Sequence, residues 1–79
     1  MSLDVDYSYP YRATLKRFHW RVASDVDAAV LRFAAHAERL RSGRYAVRAG
    51  GEARGYEIAV LVDRGRGAIL AESIYRARV

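Results

Sequence analysis

The chain contains no cysteine, a single proline and a single lysine. Without cysteine there can be no disulfide and no thiolate metal site, so the fold has to be stabilised by packing. The two histidines, His19 and His36, lack the paired spacing of a zinc site, and no G-x-S-x-G nucleophile motif is present. The glycines at 50–51 and 65–67 precede strand-like runs, unlike the glycine loops that cradle phosphate. The sequence therefore predicts no metal, no cofactor and no enzymatic activity.

Long apolar runs are missing as well. No stretch approaches the roughly 20 residues that a membrane-spanning helix needs, and no charged-then-apolar leader is visible. These two absences predict a cytoplasmic protein without membrane contact. With 79 residues, of which 52% are hydrophobic, the chain suits a single α+β domain over residues 1–79. That length is close to the lower size at which one core is stable on its own.

Acidic residues are in the minority, since 9 Asp and Glu stand against 14 basic residues and give a formal net charge of +5. All of the basic residues except Lys16 are arginine. Coding bias in a GC-rich genome enriches arginine without functional meaning, whereas arginine is also preferred for contacts to phosphate, carboxylate and aromatic rings. Both interpretations remain open at this point. The positive balance predicts an acidic partner, either a protein or protein complex or a nucleic acid.

The clearest element is an amphipathic helix over residues 24–43. Ser24 suits the N-cap, and Gly43 suits the position that follows the last turn. Asp25 and Asp27 in the first turn complement the positive end of the helix dipole. Apolar side chains recur at helical spacing and predict one stripe that faces the core. The members of the stripe are Val26, Ala29, Val30, Phe33, Ala37 and Leu40.

Strands are expected on both sides of this helix. Residues 11–22 alternate in polarity with a phase change at positions 16–17, which predicts a strand with a β-bulge or a break. Pro10 limits its neighbourhood to an edge or a turn, so residues 1–10 are expected to form an extended arm. Three later runs, separated by glycine-rich turns, predict an antiparallel meander. These runs are residues 44–49, 56–62 and 68–78.

The predicted fold class is therefore α+β, in the order β-α-β-β-β. A single helix packs on one face of an approximately four-stranded, mostly antiparallel sheet. Leu61, Leu70 and Ile74 are expected on the other face, which predicts a covering partner, a second protomer or a groove. Isolated exposed apolar residues are the alternative interpretation of that face.

Candidate partner-binding residues fall into three groups. Basic residues interleaved with aromatic ones match the way in which single-stranded nucleic acid is bound, through backbone charge and base stacking. This first group consists of Tyr9, Tyr11, Arg12, Lys16, Arg17 and Arg21. The alternative is that these aromatic rings pack under the helix and leave the arginines in solvent. Leu31, Arg32 and Arg39 form a second group on the outer side of the helix, and Arg64 and Arg66 form a third at a turn tip.

These observations predict a small, basic, non-enzymatic protein that docks an Arg-rich face on an acidic partner. At the level of architecture, the layout resembles small phage-encoded proteins that block host defence, including some anti-CRISPR proteins. That resemblance implies an inhibitor of a host protein complex. Direct binding of single-stranded nucleic acid is one alternative, and a structural homodimer that uses the second sheet face is another.

Overall fold

Two helices and four strands make up residues 3–77, the part of the chain that the computed structural model describes. In chain order the elements are β1 (Asp4–Tyr7), α1 (Tyr9–Leu15), α2 (Trp20–His36), β2 (Gly43–Arg48), β3 (Tyr56–Asp63) and β4 (Ala68–Arg76). Short 3₁₀ turns lie at Ala37–Arg39, after α2, and at Gly51–Ala53, before β3. The order is therefore β-α-α-β-β-β, with one helix more than the sequence predicts.

The four strands form one mixed sheet in the order β1-β4-β3-β2. Strands β2, β3 and β4 make the predicted antiparallel meander, because their connections are too short for crossovers. β1 pairs with β4 in parallel, with Val5 beside Ile69. The prediction of an α+β fold with a helix on a four-stranded sheet is confirmed. The extended arm is corrected, since the described part of residues 1–10 supplies β1 and the start of α1. Residues 1, 2, 78 and 79 lie outside the described residues.

Helix α1 replaces most of the strand predicted over residues 11–22. Ser8 caps the helix, because its side-chain oxygen accepts a hydrogen bond from the Tyr11 amide at 3.1 Å. Pro10 lies in the first turn, where its missing N–H leaves no helical hydrogen bond unmade. The Ser8 hydroxyl also donates to the carbonyl of Glu72 and so ties α1 to β4.

Helix α2 is displaced toward the N-terminus relative to the predicted helix at 24–43. His19 is the N-cap, and its Nδ1 accepts a backbone amide hydrogen bond at 3.2 Å. Ser24 therefore lies inside the helix rather than at its start. The regular helix ends at His36, and Gly43 begins β2 instead of capping α2.

Both helices pack on one face of the sheet and enclose the core. The largest fully buried side chains come from both helices and two strands: Tyr11, Val26, Val30, Ile58, Val60, Val62 and Ile69. The predicted stripe of α2 is confirmed, since four of its members are buried and Phe33 and Leu40 pack against them. The phase change at Lys16 and Arg17 marks the turn between the two helices, so the bulge predicted there is wrong.

Two hydrogen-bonded ties fix α2 on the sheet. Near its start, the Asp25 carboxylate accepts from the Glu52 amide at 2.7 Å and holds the turn before β3. Beyond its end, the Arg64 guanidinium donates to the carbonyls of Glu38 and Leu40, the latter at 2.7 Å. No helix within residues 3–77 is long and apolar enough to cross a membrane.

Candidate active site on the sheet face opposite the helices

The side of the sheet opposite α1 and α2 is uncovered in the part of the chain that the structure describes, and we call it the open face. Alternate residues of each strand point to this side, because successive side chains of a strand face opposite ways. Its central residues are Arg44, Ala46 and Arg48 from β2, Glu57, Ala59 and Leu61 from β3, and Leu70, Ser73 and Tyr75 from β4. Strand β1 adds Asp4 and Asp6 at one corner.

A row of small residues crosses the middle of the open face. Ala46, Ala59 and Ser73 are neighbours on β2, β3 and β4. One flanking row starts at Arg44, and the other starts at Arg48. Rows on one face of a sheet stand two residues, or about 7 Å, apart along the strands. The small row therefore forms the floor of a shallow trough between two rows of larger side chains.

Two ion pairs lie on this face. Arg44 Nε is 3.2 Å from Glu72 Oε1, and Arg48 Nε is 3.8 Å from Glu57 Oε2. The arginine side chains are 73% and 75% exposed, whereas the glutamates are 25% and 18% exposed. Exposed ion pairs are weak, so an anionic ligand can displace the carboxylates from the guanidinium groups. The open face thus presents two accessible cations, each beside a partly buried proton acceptor.

A β-bulge in β4 places Glu72 on the open face. Val60 pairs with Ala71, but its neighbour Ala59 pairs with Ser73, so Glu72 is the extra residue. A bulge bends the strand and re-aims a side chain, and bulges are frequent next to active sites. The bulge also shifts the alternation of β4, which explains why Ile74, predicted on the second face, is buried in the core.

Tyr75 completes the row that starts at Arg48. It pairs across the strands with Glu57, and 41% of it is exposed. A phenol beside a carboxylate and a guanidinium can donate a proton or stack on a planar ligand. Within residues 3–77, no three His, Cys, Asp or Glu side chains form a group that could hold a metal ion.

Of the open-face residues, the sequence analysis singles out Leu61 and Leu70, which are confirmed on this face, but neither the charged residues nor Tyr75. The available signal is the pattern of β2, in which Arg44, Ala46 and Arg48 alternate with Tyr45 and Val47. That pattern predicts a strand with one basic side. It does not reveal Glu72, which reaches Arg44 only through the strand order β4-β3-β2 and the bulge.

The first predicted group mostly lies together on the outer surface of α1 and the start of α2. Its basic members and Tyr9 are exposed, and Tyr9 is 83% exposed. Tyr11 is corrected, because it is 1% exposed and part of the core. Its ring lies under α2, so it cannot serve as a platform for a base.

Of the other predicted residues, Arg66 alone lies near the open face, where it lines a pocket with Leu61 and Leu70. Leu31 and Arg32 are exposed on α2, and Arg39 is exposed on the turn that follows it. Arg64 is committed to backbone carbonyls and has a structural role. Arg66 is exposed at the turn between β3 and β4.

A stacked aromatic pair lies beside α2, formed by the half-buried Tyr7 of β1 and the buried Tyr11 of α1. The rings of Tyr7 and Tyr11 stack with centroids 5.2 Å apart, and the Tyr11 hydroxyl donates to Asp27 Oδ1 at 3.4 Å. Burial, followed by the charge of Asp27, raises the pKa of Tyr11 far above its ordinary value of 10.0. The same two causes raise the pKa of Tyr7. Both phenols therefore stay protonated near neutral pH, and the pair serves the structure rather than acid–base chemistry.

Solved structures share this fold. The isolated RelE toxin of E. coli matches with a TM-score of 0.74 and 13% identity, over 99% of this chain and 87% of that one. The chain has a RelE-like fold. The intact E. coli RelBE toxin–antitoxin complex matches with a TM-score of 0.72 and 12% identity, over 99% of this chain and 100% of that one. The Mycobacterium tuberculosis RelBE2 toxin–antitoxin complex matches with a TM-score of 0.65 and 19% identity, over 98% and 100%.

No protein-family model matches the chain, and the search among curated proteins gave no match either. The identities of 12% to 19% therefore accompany a likeness of fold alone.

The RelE-like fold overturns the function predicted from the sequence. A non-enzymatic phage-type inhibitor such as an anti-CRISPR protein is wrong, because the structural neighbours are toxins and toxin–antitoxin complexes. The alternatives of a single-stranded nucleic-acid-binding protein and a structural homodimer are replaced for the same reason. The prediction that the chain is not an enzyme is also contradicted, because its structural neighbours include an isolated toxin.

Proposed function

We propose that this chain is the toxin of a toxin–antitoxin pair, that it cleaves RNA in the cytoplasm, and that the open face is its active site. The observation that carries the proposal is the trough, in which Arg44 and Arg48 flank a floor of small residues beside Glu57, Glu72 and Tyr75. The RelE-like fold supports it, because the similar solved structures are those of a toxin and of toxin–antitoxin complexes. A face with cations and carboxylates suits a phosphodiester substrate.

The proposed reaction is attack of a ribose 2′-oxygen on the adjacent phosphorus. The new P–O bond forms as the bond to the 5′-oxygen of the next nucleotide breaks, which leaves a 2′,3′-cyclic phosphate and a 5′-hydroxyl. Arg44 and Arg48 hold the phosphate oxygens, since guanidinium groups bind phosphate through paired hydrogen bonds. Their charge also stabilises the extra negative charge of the transition state.

Proton transfer is assigned to the groups beside these cations. Glu72 or Glu57 accepts the proton of the 2′-hydroxyl, and the Tyr75 hydroxyl gives a proton to the departing 5′-oxygen. Substrate phosphate displaces each carboxylate from its arginine and leaves it free to act as a base. The floor of Ala46 and Ala59 lets the RNA backbone approach the sheet closely.

A cleavage assay tests the open face directly. End-labelled RNA is incubated with the chain, both as free RNA and as messenger RNA in a translating extract. The double variant Arg44→Ala with Arg48→Ala is expected to lower kcat/KM by about 100-fold or more, because both phosphate-binding cations are lost. The matched control, Arg32→Ala with Arg39→Ala, removes the same charge from the helix side and is expected to change kcat/KM by less than about twofold.

A second comparison separates the base from the phosphate-binding groups. Glu72→Gln keeps the size of the side chain but removes its basicity, so kcat is expected to fall while KM stays nearly constant. Absence of cleavage by the wild-type chain in both settings would exclude the proposed activity. An equal loss in the two arginine doubles would place the activity elsewhere than the open face.

We further propose that a protein antitoxin binds the chain and neutralises its toxicity. Two of the similar structures are toxin–antitoxin complexes, and the net charge of +5 favours an acidic partner. Expression of the chain alone is expected to arrest bacterial growth. Co-expression with the product of a neighbouring gene is expected to restore growth and to give a complex that co-purifies. Growth arrest that no neighbouring product relieves would contradict the antitoxin part of the proposal and leave the cleavage part standing.

A further inference from the structure

A small pocket lies on the open face, at the corner where β1, β4 and the end of β3 meet, and we call it the corner pocket. It has a volume of about 130 Å³, less than the roughly 300 Å³ or more of pockets that hold drug-sized ligands. A space of this size suits a single planar ring system. Its lining comes from three strands and the turn between β3 and β4: Asp6, Leu61, Asp63, Arg66, Ala68 and Leu70.

The corner pocket has an apolar floor and a polar edge. Leu61 and Leu70 are neighbours on β3 and β4, and their half-buried side chains form the floor. Asp6, the neighbour of Leu70 on β1, is exposed at the edge. Asp63 Oδ1 accepts from the Arg66 amide at 3.2 Å, which fixes the turn that carries the Arg66 side chain. Neither carboxylate forms an ion pair with a cation of residues 3–77, so the pocket offers free acceptors to a group with N–H donors.

The corner pocket lies in the row of the sheet that starts at Arg44. Successive neighbours across the strands β2, β3, β4 and β1 are Arg44, Leu61, Leu70 and Asp6. Neighbouring strands are about 4.8 Å apart, so the two leucines lie about 5 and 10 Å from β2. A nucleotide whose phosphate is bound by Arg44 can therefore place its base over the leucines.

The direction of the RNA follows from the proposed reaction. Tyr75, the group assigned to the departing 5′-oxygen, lies in the row of Arg48. The leaving nucleotide therefore lies on that side of the trough. The nucleotide that carries the attacking 2′-oxygen lies on the side of Arg44, and its base is the one that reaches the corner pocket.

We propose that the corner pocket binds the base of the nucleotide that carries the attacking 2′-oxygen, and that this base is guanine. A carboxylate has two acceptor oxygens, and guanine presents two adjacent donors, N1–H and the N2 amino group. Asp6 accepts from both donors, whereas Arg66 donates to the O6 and N7 acceptors, the commonest pairing of arginine with a base. The base lies flat on the leucine floor. This inference rests on the proposed function and adds base selectivity to it.

The other three bases fit the edge of the pocket less well. Uracil has one ring N–H donor and no amino group. Cytosine and adenine have an amino group, but the ring nitrogen beside it is an acceptor. Each of the three leaves an oxygen of Asp6 without a donor or places a lone pair against it, and such a mismatch is what produces discrimination.

Nucleoside 3′-monophosphates test the corner pocket without cleavage, because each of them offers a phosphate to Arg44 and a base to the pocket. The four compounds are titrated into the chain, and the methyl NMR signals of Leu61 and Leu70 report a ring above them. Guanosine 3′-monophosphate is expected to bind at least about tenfold more tightly than each of the other three and to shift both leucine signals. No binding, equal affinity for the four compounds, or leucine signals that stay in place on binding would each overturn the proposal.

Two single variants of β1 locate the selectivity. Asp6→Asn replaces one acceptor oxygen by an amino group and is expected to reduce the preference for guanine to less than about twofold. Asp4→Asn makes the same change of charge at an exposed residue that does not line the pocket, and it is expected to keep the full preference. An equal loss in the two variants, or an unchanged preference in Asp6→Asn, would contradict the role of Asp6.

The RNA cleavage assay separates this inference from the proposed function. Most of the new 3′-ends left by the wild-type chain are expected to carry guanosine 2′,3′-cyclic phosphate, and Asp6→Asn is expected to remove this bias. Tighter binding of guanosine 3′-monophosphate without any RNA cleavage would refute the proposed function and leave the base pocket intact. RNA cleavage without any base preference would refute the base pocket alone.

Discussion

The hydrogen bond from the Glu52 amide to Asp25 requires glycine at position 51. The φ of Gly51 is +59°, and a Cβ built there would lie 2.5 Å from Asp25 Oδ2, the atom that accepts from the next amide. Gly51→Ala is expected to lower the free energy of unfolding by about 1–3 kcal/mol, through backbone strain and loss of that hydrogen bond. Urea unfolding followed by far-UV circular dichroism measures the change.

The neighbouring glycine is the control for this prediction. Gly50 has an extended backbone, and a Cβ there would meet no atom within 4 Å. Gly50→Ala is therefore expected to change the free energy of unfolding by less than about 0.5 kcal/mol. A similar loss at both positions would mean that the Asp25 tie does not determine the stability of this turn.

The phenol of Tyr11 makes stability depend on pH in the alkaline range. Its pKa is raised by burial and by Asp27 above the ordinary value of 10.0. The folded state therefore keeps a proton that the unfolded state releases above that value. The free energy of unfolding is expected to be constant with respect to this group below pH 10 and to fall above it, by at most about 1.4 kcal/mol per pH unit.

Tyr11→Phe is expected to make this alkaline fall shallower, because Tyr11 no longer titrates, while Tyr7, whose pKa is also raised, still contributes. The matched variant is Tyr9→Phe, since Tyr9 is 83% exposed, and it is expected to leave the fall unchanged. Stability curves measured from neutral pH to above pH 10 give the comparison. If wild type and Tyr11→Phe lose stability equally above pH 10, another group causes the loss.

At the scale of elements, the buried face of α2 contributes more to the stability of the fold than its exposed face. Val30 is fully buried, and its neighbour Leu31 is 50% exposed. Val30→Ala is expected to lower the free energy of unfolding by about 2 kcal/mol, from lost burial and the cavity left behind. Leu31→Ala is expected to cost less than about 0.5 kcal/mol. Urea unfolding of the two variants tests the assignment, and a larger loss at Leu31 would contradict it.

Some of the helices and strands can be predicted from sequence patterns, and one cannot. The three later strands and the α2 stripe are predictable because period-2 and period-3.6 patterns with glycine turns specify them locally. Helix α1 is predicted as a strand because its residues alternate as well, from Tyr7 through Tyr11 to Leu15. The overlooked signal is Ser8 followed by Pro10, which marks the start of a helix.

The candidate active site is harder to predict from the sequence than the fold is. Arg44 and Glu72 are 28 residues apart in the chain and meet across β3. Their contact requires the strand order and a bulge at which Glu72 has no register partner on β3. Neither feature has a local sequence signature. The group of exposed cations on α1 and the start of α2 is predictable from the sequence, because Arg12, Lys16, Arg17 and Arg21 lie within one short segment.

At the scale of the whole molecule, one core joins every layer. Tyr11 of α1, Val30 of α2 and Ile58 of the sheet belong to a single cluster of buried residues. The radius of gyration is 11.9 Å, close to the value of about 12 Å expected for a compact domain of this length. The helices and the sheet share this one cluster, so neither the helical layer nor the sheet has a separate core.

Thermal unfolding is therefore expected to be a single cooperative transition. Far-UV circular dichroism reports the helices and strands, and near-UV circular dichroism reports the packed tyrosines. The two signals are expected to share one midpoint. Separate midpoints would show that the helical layer can be lost while the sheet persists.

The parallel pairing of β1 with β4 has a consequence for biosynthesis. Residues 4–7 are synthesised well before the strand beside which they belong, at residues 68–71. The sheet edge cannot close, and Ser8 cannot reach the Glu72 carbonyl, until β4 has been synthesised. A nascent chain interrupted before β4 has no native sheet edge for β1, and it lacks Glu72 and Tyr75. The proposed cleavage activity is thus available only after β4 has left the ribosome.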